Sequence, residues 1–465
     1  MTISEFQEIK EALKEAIRGT DYENRTYIVG GAVRDMVMGV EIKDIDMVVN
    51  IPNGGLKLAK YLFNAGYLVH EPIEYPQYSV SMFVLKEFPD VEIEAVQTRS
   101  EKYTDSNSRN PETAFGSIEE DCIRRDLTIN SLYMNVVTDE ILDLTGRGID
   151  DINNHIIRVT NNDPDIVFVD DPLRILRIVR FASRYGWKID GPTYEAMKRN
   201  VDRLSIISIE RINDEFSKII ICNHPKMALN LLRDIDAIKY IIPELESLYD
   251  CTQNEWHGFD TVWEHTMDFI QVIESNDLVL RLSALLHDIG KPATRTVKDG
   301  KIHFYSHEMK GAEIAKDVLL RLRYPNDVIK EVTFYIRNHM SFYSFTSDNP
   351  NPKVIRRVQY ECRTVDRFKN LLKLMQADSL SVPDKYKDPD LYKNIMCYSD
   401  KMVENETSMF SYELPVNGDD IMRIKLIQPG PQVKKIKDML IEHAIKHDPK
   451  MDYKKVVNLI RNFKL

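Results

Sequence analysis

The stretch Tyr27-Ile-Val-Gly-Gly-Ala-Val-Arg-Asp35, with Lys43-Asp-Ile-Asp-Met47 a few residues on, decides how this chain reads. A short apolar run ends at two glycines and a helix-forming run follows, so Gly30 and Gly31 sit in a strand-to-helix turn. Without Cβ atoms they let a phosphate come close to the backbone. The amides opening the next helix point at such an anion, and Arg34, one turn in, can add a charge-assisted hydrogen bond. Many such turns are only tight turns. Asp44 and Asp46 sharpen the reading. On a strand, residues i and i+2 share a face, so Ile45 points to the core while two carboxylates converge on the other side. The pair suits two Mg2+ ions, one activating an attacking hydroxyl and the other holding a triphosphate. A solvated acidic strand end has the same local pattern. In Val91-Glu-Ile-Glu-Ala95, Glu92 and Glu94 again share a face, and Glu94 is the candidate third carboxylate.

Around this stretch lie 465 residues with a formal charge of −11, 43% hydrophobic and 29% charged. The length suggests roughly three domains, and the composition supplies real cores and excludes extensive disorder. No apolar run approaches the ~18 residues of a membrane span. The opening MTISEFQEIKEALKEAI reads as an acidic amphipathic helix, not a secretory signal. Cys122, Cys222, Cys251, Cys362 and Cys397 are scattered without a CxxC, which argues against a disulfide frame or a thiolate zinc site. A cytoplasmic protein with no membrane partner is expected. Residues 1–150 mix short strands and helices, an α+β head on a small sheet. From about 165 onward the helical period dominates and strand alternation nearly disappears. The remainder is therefore expected to be all-helical: a neck over 151–222, a body over 223–400 and a tail over 401–465.

Two further segments carry chemistry. In Arg124-Arg-Asp-Leu-Thr-Ile-Asn-Ser-Leu132, Arg124 and Arg125 offer donors to phosphate or sugar oxygens, and Asp126 and Asn130, four apart on a helix, share a face. In Asp170-Asp-Pro-Leu-Arg-Ile-Leu-Arg-Ile-Val-Arg-Phe181, Pro172 suits a first helical turn and an aspartate before it can cap. Arg174, Arg177 and Arg180 recur every three residues and line one face. Asp171, one turn before Arg174, sets an acceptor beside a donor. Cytosine and adenine both present an amine donor next to a ring-nitrogen acceptor, whereas guanine and uracil place a carbonyl and an N–H there. An Asp–Arg pair thus admits C and A and refuses G and U. A capped helix with a solvated arginine face is the alternative. In Glu210-Arg-Ile-Asn-Asp-Glu-Phe216, Arg211 and Glu215 read as a structural i,i+4 pair.

Gly30-Gly-Ala-Val-Arg-Asp35, Asp44-Ile-Asp46 and Arg124–Leu132 together resemble the signatures of the class II tRNA nucleotidyltransferase and bacterial poly(A) polymerase family. Asp171 and Arg174 match that family's EDxxR element. The resemblance implies a polymerase-beta-like head in which Asp44 and Asp46 are catalytic and hold Mg2+, with Glu94 the further catalytic candidate. It implies a nucleotide site of Gly30, Gly31, Arg34, Arg124, Arg125, Asp126 and Asn130, the last group recognising the ribose. It gives Asp171 and Arg174 the base-reading role and makes Arg177 and Arg180 nucleotide-binding. Asp170 stands where the family commonly has Glu, one methylene longer. The polar segment 98–120, with Arg99, Arg109 and Pro111, resembles the flexible loop that helps the family switch from C to A.

His287-Asp-Ile-Gly-Lys-Pro292 ends an apolar helix, with His265 before it and His307, His339 and Asp378 after it. This order resembles the HD superfamily of metal-dependent phosphohydrolases. It implies a divalent-metal site of His265, His287, Asp288 and Asp378, which His307 and His339 extend to two metals. The mixed nitrogen and oxygen set suits Mn, Fe, Co, Ni, Zn or Mg, and a bound water would attack a phosphoester. His257 and His303 fit no place in this set and read as ordinary.

The expected protein is a CCA-adding tRNA nucleotidyltransferase that adds CMP, CMP and AMP to the tRNA 3′ end from CTP and ATP without a nucleic-acid template, with HD phosphohydrolysis as a possible second activity. Its rivals are a poly(A) polymerase or A-adding enzyme, an HD phosphohydrolase whose head only binds nucleotide or RNA, and a non-catalytic RNA-binding module. The intact Asp44/Asp46 pair speaks against the last two. The acidic total argues against an RNA partner, but residues 421–465 hold eleven Lys/Arg against Asp438, Glu442, Asp448 and Asp452. That leaves the tail at +7 and the rest at −18, and a basic arm for the tRNA backbone is expected there.

Overall fold

The computed structural model describes residues 1–102, 112–254, 258–273, 276–341 and 350–463. Arg109, Pro111 and His257 lie outside them. The chain divides into two compact units, Met1–Ile241 and Ile242–Leu465.

The first unit carries β1 (Thr26–Val29), β2 (Ile45–Val49), β3 (Ile73–Tyr75), β4 (Val80–Val84), β5 (Glu92–Gln97), β6 (Arg99–Lys102), β7 (Glu112–Phe115), β8 (Leu132–Asn135) and β9 (Ile141–Asp143). Seven of these form one sheet in the order β3-β4-β5-β2-β1-β8-β9, and β6 and β7 make a separate hairpin. Within this sheet β2 and β5 run parallel and the other neighbours antiparallel; the β2–β5 crossover contains the helix Gly54–Asn64. Gly55 lets that helix settle on the sheet, because a Cβ there would collide with the carbonyl of Ala95 on β5. The alternation expected at β2 holds: Ile45 and Met47 are buried and Asp46 is exposed between them.

The neck helices include Pro164–Asp170, Leu173–Tyr185, Gly191–Asn200 and Ile209–Ile220. In Leu173–Tyr185 the residues Ile175, Leu176, Ile178 and Val179 are buried, leaving Arg174, Arg177 and Arg180 on a half-buried stripe. Gly186 ends the helix in a left-handed cap (φ 71°). A short parallel pair, β10 (Ile156–Ile157) with β11 (Lys188–Ile189), joins the start of the neck to its main helix.

The second unit is built from helices Val262–Val272, Leu278–Leu286, His307–Arg321, Asn326–Asn338 and Val365–Leu380. Its start is not purely helical as expected. β12 (Arg295–Lys298) and β13 (Lys301–Phe304) form an antiparallel hairpin. Asp299 and Gly300 both have positive φ, the turn that an Asp-Gly between alternating residues prescribes. The tail helices Gly418–Lys425, Pro431–Lys446 and Tyr453–Asn462 enclose their own apolar core of Ile421, Ile436, Leu440, Val456 and Ile460. No helix among the described residues is long and apolar enough to cross a membrane.

Candidate functional site

In the head, β1 delivers the chain to Gly30, whose φ of 69° suits glycine, and its N–H is held by the Leu132 carbonyl of β8 at 3.3 Å. The helix that follows, Gly31–Val37, is one of only seven residues. β2 lies antiparallel to β1 and parallel to β5, so Asp46 faces Val29 on one side and Glu94 on the other. Asp44, Asp46 and Glu94 are thereby gathered on one exposed face. Desolvation, and then repulsion from Asp44, raises the Asp46 carboxyl above its ordinary range despite the pull of Arg125. Desolvation and then Asp46 raise Glu94 in the same way. Crowded carboxylates with raised pKa values are the donor set a divalent cation relieves.

The second element departs from the expected helix. The helix Ile118–Ile123 stops early, Leu127 bridges to Val159, and Thr128–Asn130 is a single 3-10 turn. Asp126 through Ser131 are all buried, with no exposed side such as a helix on the surface would keep. Asp126 and Asn130 still meet, Asn130 donating to the Asp126 carboxylate at 3.3 Å. Sequence reading missed the residue that organises this loop. Asp121, fully buried, accepts from Arg124 (2.7 Å), Arg125 (3.1 Å), the Tyr133 hydroxyl (2.7 Å) and the Arg99 amide (3.1 Å). Burial alone would raise its carboxyl, but Arg125 and Arg124 hold it below the ordinary range. Its spacing of three and four to the two arginines was the available signal.

Arg34 also differs from expectation. It is buried, its guanidinium bonded to Asp35 at 2.7 Å and to Asn130 at 2.5 Å, with Phe181 and Tyr185 of the neck against it. It ties the glycine turn to the neck instead of standing open beside it.

In the neck each arginine has a different partner. Arg174 donates to the Val167 and Arg124 carbonyls (3.3 and 2.5 Å), Arg177 to Asp126 (2.6 Å), and Arg180 pairs with Glu215 (2.8 Å). Burial works against the Asp126 charge, yet Arg177 and the hydrogen bond it makes bring the carboxyl down to about 2. Asp171 is not bonded to Arg174 through its carboxylate. It accepts from the Leu173 amide (3.1 Å) and from Arg211 (2.8 Å). The expected Arg211–Glu215 pair is therefore replaced by two ties to the neighbouring helix, Arg211 to Asp171 and buried Glu215 to Arg180. Burial, against the pull of Arg174, raises the Asp170 carboxyl.

In the second unit all six predicted side chains meet. His265, His287 and Asp378 form one cluster, Asp288, His307 and His339 another, the ligand atoms of each within 4.8 Å of one another. The two oxygens of Asp288 face different clusters: Oδ2 is 3.0 Å from His287 Nε2, and Oδ1 is 3.3 Å from His307 Nε2. His287, His307 and His339 turn Nδ1 toward the carbonyls of Ala284, Phe304 and Ile336 at 2.8, 2.8 and 2.6 Å. A carbonyl only accepts, so each Nδ1 carries a hydrogen and each ring turns its Nε2 inward, the atom free to ligate a cation once it is deprotonated. His307 Nε2 and His339 Nε2 lie 3.3 Å apart, as do His287 Nε2 and His265 Nε2. Burial, and then His287, pushes His339 down to about 4. Lone pairs facing one another over carboxylates are a donor set for cations. Lys291, also buried, reaches Asp288 at 2.7 Å and Gln253 at 3.2 Å.

The tail offers a groove of about 550 Å3 lined by Lys434, Lys435, Lys446, His443 and His447, with Asp438 and Glu442 among them.

Comparison with known proteins adds the following. The Poly A polymerase head domain family matches residues 26–158, the "Probable RNA and SrmB- binding site of polymerase A" matches 186–249, and the HD domain family matches 259–402. The Multifunctional CCA protein of Aliivibrio salmonicida is 30% identical over 329 residues, 67% of this chain and 74% of its own. The mitochondrial CCA tRNA nucleotidyltransferase of Saccharomyces cerevisiae is 37% identical over 221 residues, 44% of this chain and 40% of its own. In fold, the chain is similar to the Bacillus stearothermophilus CCA-adding enzyme in complex with CTP (20% identity, TM-score 0.68, 98% and 96% of the two chains covered). It is also similar to the Thermotoga maritima CCA-adding enzyme complexed with tRNA (19% identity, TM-score 0.58, 99% and 98% covered).

Proposed function

The chain belongs to the family of CCA-adding tRNA nucleotidyltransferases, and on that premise we propose that it builds the CCA end of tRNA in the cytoplasm from CTP and ATP. The observation that carries this reading is the three-carboxylate face of Asp44, Asp46 and Glu94, with Asp46 and Glu94 in register on adjacent strands. Two Mg2+ ions held there would neutralise the triphosphate and lower the pKa of the attacking hydroxyl. The terminal tRNA oxygen bonds to the α-phosphorus, the bond to the bridging oxygen breaks, and pyrophosphate leaves. Asp126, fixed by Arg177, and Asn130 orient the ribose. Arg124 and Arg125, aligned by Asp121, supply positive charge beside the phosphates.

Base choice falls to the neck. The Asp171 carboxylate accepts the exocyclic amine of C or A, and Arg174, which keeps N–H groups beyond its two carbonyl contacts, donates to the ring nitrogen. Arg211 donates to the Asp171 carboxylate at 2.8 Å and fixes its orientation. In the body, divalent metals held by the two histidine–aspartate clusters would activate a water toward a phosphoester, giving a second, hydrolytic activity. The basic groove of the tail takes the tRNA backbone.

The test offers purified protein tRNAs ending before CCA, in C and in CC, with CTP, ATP or both. Stepwise addition that stops after the third nucleotide is expected. Long A tails would turn the reading to poly(A) synthesis, and incorporation unchanged by Asp44→Ala would remove the head from the chemistry.

A further inference from the structure

The hairpin β12–β13 is absorbed by neither reading. Three cations, Arg295, Lys298 and Lys301, stand on it against the single acid Asp299, in a chain whose net charge is −11. Among the described residues no carboxylate holds Lys298 or Lys301. Just past β13, Tyr305 stacks on His303 with ring centroids 5.1 Å apart and planes 7° apart, yet it stays 64% exposed. A flat aromatic pair left in water beside lysines has the composition of a base-stacking platform.

The platform is tied to the histidine–aspartate clusters. The Phe304 carbonyl accepts from His307 Nδ1 at 2.8 Å, and the Phe304 ring lies 5.3 Å from Lys291 Nζ, the ammonium bonded to Asp288. Tyr305 is two residues before His307 in the chain. Ser306 between them takes a left-handed backbone (φ 58°) and re-aims the chain from strand into helix. Asn254 clamps the hairpin from the other side, donating to the Ile302 carbonyl at 2.6 Å and accepting from its amide at 3.0 Å. Arg295 reaches the Thr252 hydroxyl at 3.0 Å. The platform is thus rigidly mounted.

We propose that Tyr305, stacked on His303 and flanked by Lys298 and Lys301, is a nucleobase subsite that makes the histidine–aspartate centre selective for nucleotide phosphoesters over phosphoesters without a base. The inference rests on the hydrolytic reading of that centre. The base stacks on the exposed face of Tyr305, the lysines draw in the anion, and the phosphoester reaches the clusters.

The experiment uses the full chain in two arms. In the first, protein loaded with Mn2+ or Ni2+ hydrolyses a nucleoside 2′,3′-cyclic phosphate, an RNA ending in that group, and ribose 5-phosphate as the ester lacking a base. Tyr305→Ala should raise KM for the nucleotide about tenfold with kcat little changed, leave ribose 5-phosphate unaffected, and be rescued by Tyr305→Phe. A difference between free nucleotide and RNA end identifies which source the subsite prefers. Equal effects on esters with and without a base would overturn the subsite. In the second arm, 2-aminopurine nucleotide is titrated into metal-free protein. Fluorescence quenching that is lost in Tyr305→Ala and kept in Tyr305→Phe supports the platform, and quenching that Tyr305→Ala leaves unchanged refutes it. If no ester is hydrolysed by the wild type under any metal, the hydrolytic reading fails, and the second arm still decides the platform.

Discussion

Asp46 and Glu94 are register partners across the parallel pair β2–β5; burial and then the Asp46 charge raise the Glu94 carboxyl, while burial and Asp44 raise that of Asp46. Removing one relieves repulsion while removing a cation donor. Asp46→Asn is therefore expected to lower nucleotide incorporation by roughly 10²–10³-fold while leaving thermal stability equal or slightly higher. Glu94→Gln should cost less activity. Single-turnover incorporation and a melting curve on the same preparations check both halves.

Arg211 holds the Asp171 carboxylate at 2.8 Å from a separate helix. Without it Asp171 loses a charge-assisted hydrogen bond worth about 1.5–3 kcal/mol. Arg211→Ala is expected to raise KM for CTP and ATP about tenfold or more, with kcat changed less, and to increase UTP incorporation. Steady-state kinetics with each of the four nucleotides measures this, and an unchanged KM would refute the positioning role.

Asp126 carries a pH signature. Its carboxyl is held at about 2 by Arg177 against roughly 3.9 in an unfolded chain. A lowered native pKa means that the stability from the pair is complete above pH ~4 and is lost as pH falls toward 2. Asp126→Asn should be destabilised by about 1–3 kcal/mol at neutral pH, with the gap to wild type closing below pH ~4. Thermal unfolding across that range reads the gap directly.

The carboxylate of Asp288 serves both clusters, while Asp378 serves one. Metal analysis of protein loaded with Mn2+ should give about two ions per chain in the body. Asp288→Ala should lose both, and Asp378→Ala should keep one. Equal losses from the two variants would refute the shared-ligand arrangement.

The tail groove sets a salt test. Lys434 and Lys435 line it, and neither has an acidic partner among the described residues. Replacing both with Gln should weaken tRNA binding and reduce the slope of log affinity against log salt by roughly one per lysine, as read by filter binding.

Much of this was legible in the sequence because local pattern and tertiary role coincide there. Asp44, Ile45 and Asp46 alternate as a strand must, and Arg174, Arg177 and Arg180 repeat as a helix stripe must. The six histidine and aspartate residues of the body stand in the sequence as a set of nitrogen and oxygen donors, and the fold brings them together. What escaped was set by partners distant in sequence or by competing local forces. Leu127 is drawn into a bridge with Val159, so Asp126 and Asn130 reached each other through a turn rather than along a helix. Glu215 and Arg211 have ideal helix spacing, yet each is drawn to a residue about forty or fewer positions away on the neck. The hairpin at Asp299-Gly300 was readable from its turn, and was masked by the helical period on both sides of it.

The alternation along β2 has a consequence for how this protein can change over time. Because side-chain direction reverses at every residue of a strand, a single-residue insertion or deletion in β2 would swap Ile45 into the solvent and Asp46 into the core. Length variation there is forbidden in steps of one, even where almost any individual substitution in the neighbouring loops is survivable. Which atoms meet the nucleotide therefore depends on the register of β2 as well as on the side chains it carries.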